Sequence, residues 1–286
     1  MAITAAISLN PALIFNSAIW GQIDGFLTLF LLLSVSFLSQ NLAAAAAFFW
    51  SVSFLIKPQS IALTPLFAFY LIQQKMKKIT PFTLIFILTT FLLSFPFFSN
   101  NLMGIINLFL QMVNDYKYTS LFAYNFWGII GFWINDSQSF FLLTYQQLGF
   151  LLLGIYLIYI LFLYFKKGGS IYTVAALLFL AFFFLPTRVH ERYLYPGLIF
   201  LLITAGVYKS VPLYLSALIL SLLHLLNLYY VYVYYNEIFF NLPKTLYQVT
   251  LYKTLENNSQ LLSAISFIMF IIISWAVFKL KHVKKS

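Results

Sequence analysis

Residues 143–167 read LTYQQLGFLLLGIYLIYILFLYFKK, whose apolar run from Leu148 to Phe165 is closed by Lys166 and Lys167. A helix needs about 20 apolar residues to cross roughly 30 Å of hydrocarbon, and this run has the length. It does not alternate in the period-2 manner of a barrel strand. The lysine pair marks the end that meets water, because cytoplasmic ends of membrane helices are enriched in Lys and Arg. Similar runs recur on both sides of it. The sequence therefore reads as all-α, a polytopic transmembrane helix bundle with about ten spans. These lie near residues 2–18, 23–39, 42–56, 59–74, 80–98, 143–165, 170–187, 193–208, 211–229 and 260–279.

Composition agrees. The chain is 63% hydrophobic and only 8% charged over 286 residues, against about 25% charged in soluble domains, too little to cover a soluble surface. Its net charge of +10 comes from clusters at helix ends, so it sets orientation in a bilayer and does not call for nucleic acid. Threading the chain in and out puts Lys75, Lys77, Lys78, Lys166, Lys167, Lys209, Lys279, Lys281, Lys284 and Lys285 on one side, which is cytoplasmic by the positive-inside rule. The six acidic residues Asp24, Asp115, Asp136, Glu191, Glu237 and Glu256 fall on the other. Outer segments are expected around residues 20–24, 99–142 and 229–258, with a tight outer turn at 188–193. Cysteine is absent, which excludes disulfides and thiolate metal sites. The opening MAITAAISLNPAL lacks a basic n-region and a cleavage site; it reads as the end of a helix whose beginning is missing.

Chemistry-bearing residues concentrate on the acidic side. Trp20, Gln22 and Asp24 put an indole, an amide and a carboxylate at one helix junction. The carboxylate suits proton abstraction or a divalent cation, and the indole and amide suit a sugar. The competing reading is an interfacial tryptophan with an aspartate capping the next helix. Lys57-Pro58-Gln59 places a cation at a proline break, where broken backbone at membrane depth lines protein or a wet cavity; alternatively Lys57 snorkels. Arg188, His190, Glu191, Arg192 and Tyr193 crowd one turn. Arginine forks match phosphate oxygens, whereas a solvated turn would pair Glu191 with an arginine. Tyr124 to Gly128 reads as an interface belt, His224 as a hydrogen-bonded core residue, and Ala43 to Ala47 as a small-residue packing face.

NPALIFNSAIWGQID (10–24), IKPQ (56–59), YNFWG (124–128) and HERYLYP (190–196) occur in a familiar order. Over residues 8–205 the chain resembles bacterial integral membrane proteins related to the glycosylphosphatidylinositol mannosyltransferase II family, in the GT-C superfamily. The resemblance implies a single transmembrane glycosyltransferase-like domain over 1–286 with a GT-C-like fold. It implies inverting transfer of a sugar, with mannose the expected one, from a polyprenyl-phosphate-linked donor to a lipid, glycan or protein acceptor on the extracytoplasmic face of the cell membrane. Asp24 is then the expected catalytic residue, with Trp20, Gln22, Lys57, Gln59, Arg188, His190, Glu191, Arg192 and Tyr193 binding substrate, and a divalent cation as the cofactor to look for. The sequence departs from the family in one respect. GT-C enzymes carry their catalytic Asp or Glu in the first outer loop, after the first membrane helix, and nothing here matches that helix and loop. The chain is therefore expected to begin several helices into the fold. Competing functions are a polymerase or ligase of lipid-linked glycans, a glycolipid transporter, and an inactive fragment that inserts and does nothing.

Overall fold

A computed structural model describes residues 2–73, 76–101, 103–167 and 170–280. Lys75, Lys281, Lys284 and Lys285 of the basic clusters lie outside the described residues, as do the side chains of Lys77 and Lys167. The elements in chain order are α1 (Ala2–Ser8), α2 (Pro11–Ile14) continued by a π-helical turn (Phe15–Ile19), α3 (Asp24–Ser39), α4 (Ala43–Ile56), a 3-10 helix (Pro58–Leu63), α5 (Thr64–Ile72), α6 (Met76–Phe98) and α7 (Gly104–Asn114). Then come β1 (Ser120–Leu121), α8 (Phe126–Ile130), β2 (Ser139–Phe140), β3 (Leu143–Thr144), α9 (Tyr145–Lys167), α10 (Ile171–Phe184), β4 (Val189–His190), a 3-10 turn (Glu191–Leu194), α11 (Tyr195–Val207), α12 (Val211–Tyr232) with a second π turn (Val233–Phe239), α13 (Val249–Asn257) and α14 (Ser259–Phe278). Among the described residues the chain is mostly helical, with strands of two residues only.

Among the described residues four helices are long and apolar enough to cross a membrane: Lys78–Phe98, Tyr145–Lys166, Val211–Phe239 and Ser259–Phe278. A fifth is added if Pro11–Ile19 and Asp24–Ser39 count as one span. The other apolar stretches are shorter because local chemistry breaks them. Asn10 caps α2 with Pro11 in its first turn. Lys57 turns extended ahead of Pro58 and ends α4, as expected of proline. At 14 residues, α4 reaches about 21 Å at 1.5 Å per residue.

The chain packs as two compact units, Gly25–Tyr116 and Met1–Asp24 with Lys117–Ser286. In the first, Ala46 and Ala47 are fully buried and Ser34 Oγ donates to the Ala46 carbonyl at 2.7 Å, so the alanine run does provide a close-packing face. Trp50 stacks between Phe67 and Phe86, each 4.4 Å away, and its indole donates to the Ser60 carbonyl at the proline break. Segment 99–142 is not a plain loop. It contains α7, whose Asn107, Gln111 and Asn114 line one helix face.

In the second unit α10 packs on α11, α11 on α12 and α12 on α14, and α8 lies against α14. Tyr124, Asn125, Trp127 and Gly128 are buried in this core, with Phe126 half-buried, rather than lying in an interface belt. The reason is polar. A helix leaves its last carbonyls without partners; Asn125 Nδ2 donates to the Phe183 carbonyl and Trp127 Nε1 to the Leu185 carbonyl, at the end of α10. Gly128 is required here: a Cβ would stand 2.5 Å from Ser263 Oγ and 2.8 Å from the Ala123 carbonyl. Asn227 on α12 donates to the Phe122 carbonyl at 2.7 Å and accepts from the Tyr124 amide at 3.1 Å. Replacing Asn227 with leucine orphans two buried backbone groups, each worth about 1–3 kcal/mol, and is expected to lower the thermal midpoint in detergent; an unchanged midpoint would refute this role.

Candidate functional site

Two distant segments build the site. In the first, Asn10 Oδ1 accepts from the Ala12 and Leu13 amides and from Ser221 Oγ on α12. The helix then widens into the π turn, and such turns recur at functional sites. Gly21, with φ +70°, lets the chain reverse so that the Gln22 amide donates to the Asn16 carbonyl at 3.0 Å. Asn16 and Asp24 end up fully buried together, with Asn16 Nδ2 donating to Asp24 Oδ2 at 3.3 Å. Asp24 opens α3, where a helix N-terminus favours negative charge.

The second segment is the turn after α10. Its β4 runs parallel to β1, with Ser120 opposite Val189 and Leu121 opposite His190. Arg188 sits at φ +64°, a conformation costly for a non-glycine residue. It is held there by its amide on the Tyr118 carbonyl and by a fork onto buried Asp136, Nε to Oδ2 at 2.7 Å and Nη2 to Oδ1 at 3.2 Å. Thr187 Oγ1 donates to the same carboxylate at 2.8 Å. The 3-10 turn then directs Glu191 inward, 1% exposed, and Arg192 Nη1 lies 3.1 Å from Glu191 Oε1. His190 Nδ1 stands 4.0 Å from Glu191 Oε2.

The two segments meet. The Tyr195 and Ser17 hydroxyls are 3.2 Å apart, and Asp24 is near enough to act electrostatically on both Glu191 and Arg192. Burial pushes the Glu191 carboxyl up, with Asp24 adding to the push, against the opposing pull of Arg192. Burial alone would lower the Arg192 guanidinium, but Glu191 and Asp24 outweigh it and hold the cation more firmly protonated. Arg192 Nε is buried and donates to no acceptor among the described residues.

Of the residues picked from sequence, Asp24, Glu191 and Arg192 are brought together. Gln22, two residues before Asp24 in the chain, is half-buried. Trp20 is half-buried, edge-on to Tyr232 at 6.1 Å and packed, like Leu246, against the core cluster of Ala12, Phe15 and Leu228. Leu246 is held by Glu237 Oε1, which accepts from the Leu246 amide at 2.9 Å and the Thr245 amide at 3.1 Å. Tyr193 stacks near Phe182 and lies 5.4 Å from the His190 ring. Arg188 is committed to Asp136. Lys57, half-buried, and Gln59, buried, belong to the other compact unit. Glu191 does pair with an arginine, as the solvated-turn reading expects, but in a buried setting. His224 is buried, yet neither ring nitrogen has a hydrogen-bond partner among the described residues, contrary to the expected bonded core histidine.

Asn16, Ser17 and Tyr195 join the constellation; they lie inside the motifs at 10–24 and 190–196 but were given no role of their own from the sequence. Tyr195 follows Arg192 by three residues, and that one-turn spacing was the available signal. Among the described residues no three His, Cys, Asp or Glu side chains gather as metal ligands; the counter-charge to Asp24 and Glu191 is the Arg192 guanidinium. No family model, curated protein or solved structure matches this chain.

Proposed function

We propose that the chain is a GT-C-like membrane glycosyltransferase that moves a sugar from a polyprenyl-phosphate donor to an acceptor hydroxyl on the extracytoplasmic face. The observation that carries the reading is the convergence of Asp24, Arg192 and Glu191. A buried carboxylate and a guanidinium with a donor to spare come together from segments about 170 residues apart in the chain. In an inverting transfer Asp24 accepts the proton of the acceptor hydroxyl as its oxygen attacks the anomeric carbon, and the polyprenyl phosphate departs with the electron pair of the broken C–O bond. Arg192 stabilises the charge that grows on that phosphate, as preorganised donors do. Glu191 fixes the guanidinium, and Asn16 fixes the Asp24 carboxylate. A lipid-linked donor suits this face because nucleotide sugars are confined to the cytoplasm. The charge pattern favours basic ends in the cytoplasm and the site outside, and in this proposal the shorter apolar helices Ala43–Ile56, Pro58–Ile72 and Ile171–Phe184 also count as membrane segments.

The test is transfer of radiolabelled sugar from a polyprenyl-phosphate donor in proteoliposomes. Asp24→Asn is expected to lower transfer about 10²–10⁴-fold, the contribution of a general base, while insertion is unchanged. Wild-type transfer by Asp24→Asn would remove Asp24 from the mechanism. Label that crosses the bilayer without covalent transfer would replace the reading with a transporter, and a lengthened glycan product would replace it with a polymerase.

A further inference from the structure

We propose that α7 lies flat in the membrane–water interface, its flanks in the acyl chains and headgroup boundary and its polar stripe in water. This stands whether or not the chain transfers sugar. Helix α7 reads GIINLFLQMVN and carries no charge. At 100° per residue Asn107, Gln111 and Asn114 fall within about 60° of one another, and apolar side chains fill the rest of the circumference. The middle of the apolar arc seats on the protein: Ile105 and Phe109 are half-buried, and Phe109 packs on Phe54 of α4, ring centroids 5.0 Å apart. The two flanks overhang. Ile106 and Leu110 on one side, and Leu108 and Met112 on the other, are 45–58% exposed.

Four large apolar side chains left open on an uncharged helix need a cover, and the neighbouring helix names it. Helix α6 leads into α7 within a few residues, and its membrane-length stretch is only 11% buried inside the protein. Leu84, Ile87, Leu88, Phe91, Leu92 and Phe97 on α6 are exposed, as lipid-facing residues of a spanning helix are. The apolar surface of α6 thus continues onto the flanks of α7, at the end of α6 away from Lys78. A helix seated by its underside, greasy on both flanks and polar on top, fits the boundary between acyl chains and headgroups. Phospholipid is the occupant we assign.

The chain has no cysteine, so single substitutions give unique nitroxide labels. Leu108→Cys, Leu110→Cys, Asn107→Cys and Gln111→Cys would each be labelled and reconstituted in phosphatidylethanolamine–phosphatidylglycerol vesicles. Collision with oxygen, which partitions into lipid, would be compared with collision with a water-soluble nickel chelate. The expected result is a reversal: labels at 108 and 110 favour oxygen, and labels at 107 and 111 favour nickel. Nickel access at all four positions would put the helix in water and overturn the proposal. Protection of 108 and 110 from both reagents would mean that protein, such as a second copy, covers the flanks, and would overturn it too, as would oxygen preference at all four. A variant with a shifted gel-filtration peak is replaced by Met112→Cys or Asn114→Cys on the same faces.

Discussion

Replacing Arg192 with alanine is expected to reduce the proposed sugar transfer about 10²–10³-fold, the loss seen when one preorganised donor to a developing anion is removed. The same change strips buried Glu191 of its partner at 3.1 Å, so lost activity alone would not separate chemistry from folding. The carboxyl of Glu191 is already pushed up by burial and can take up a proton when the guanidinium goes, which limits the structural damage. The decisive comparison is Arg192→Ala combined with Glu191→Gln. Neutralising Glu191 as well removes the unpaired carboxylate at 191 and is expected to recover part of the lost thermal stability, Asp24 still lacking its counter-charge, while transfer stays low. Recovery of both would make Arg192 a structural residue and leave the leaving group without its assigned cation. Arg192→Lys is expected to fall between, since an ammonium keeps the charge but not the planar fork.

The second large effect is expected at Asp136. It is fully buried and accepts the Arg188 fork and the Thr187 hydroxyl. Breaking a buried pair by removing one charge costs roughly 3–5 kcal/mol; Arg188 is 17% exposed, so the lower end, about 3 kcal/mol, is expected for Asp136→Asn. Arg188 would also lose the contact that holds it at φ +64°. Denaturation in detergent followed by tryptophan fluorescence reads this directly, because Trp127 and Trp133 stand in the adjoining segment. A change below about 0.5 kcal/mol, the range of ordinary surface substitutions, would mean that the fork does not hold the turn.

Class and punctuation were legible in the sequence: apolar runs of membrane length, and a break at Lys57-Pro58. So were the two segments that meet at the site, because Asp24, Glu191 and Arg192 are rare charges in an apolar chain. Their partners were not. Ser17 meets Tyr195 across 178 positions, and local spacing carries no record of such a contact. Tyr124 to Gly128 misled for a different reason. Aromatic composition alone favours an interface, whereas Asn125 and Trp127 are drawn inward by the unpaired carbonyls ending α10. Helix lengths were overestimated wherever a cap such as Asn10 divides a run that hydropathy treats as continuous.

The π turn at Phe15–Ile19 amounts to an α-helix with one surplus residue. Upstream of it the chain is anchored by Asn10 on Ser221; downstream it is anchored by Asp24 at the start of α3. Deleting Ala18 would leave the composition nearly untouched and relax the turn to ordinary α, turning the chain beyond it by about 100° and drawing it about 1.5 Å along the axis relative to Asn16. Asn16 could then keep step with Asn10 or with Asp24, but not with both. The aim of the Asp24 carboxylate is thus stored as a residue count, and a single-codon deletion could undo it where most substitutions at Ala18 would not.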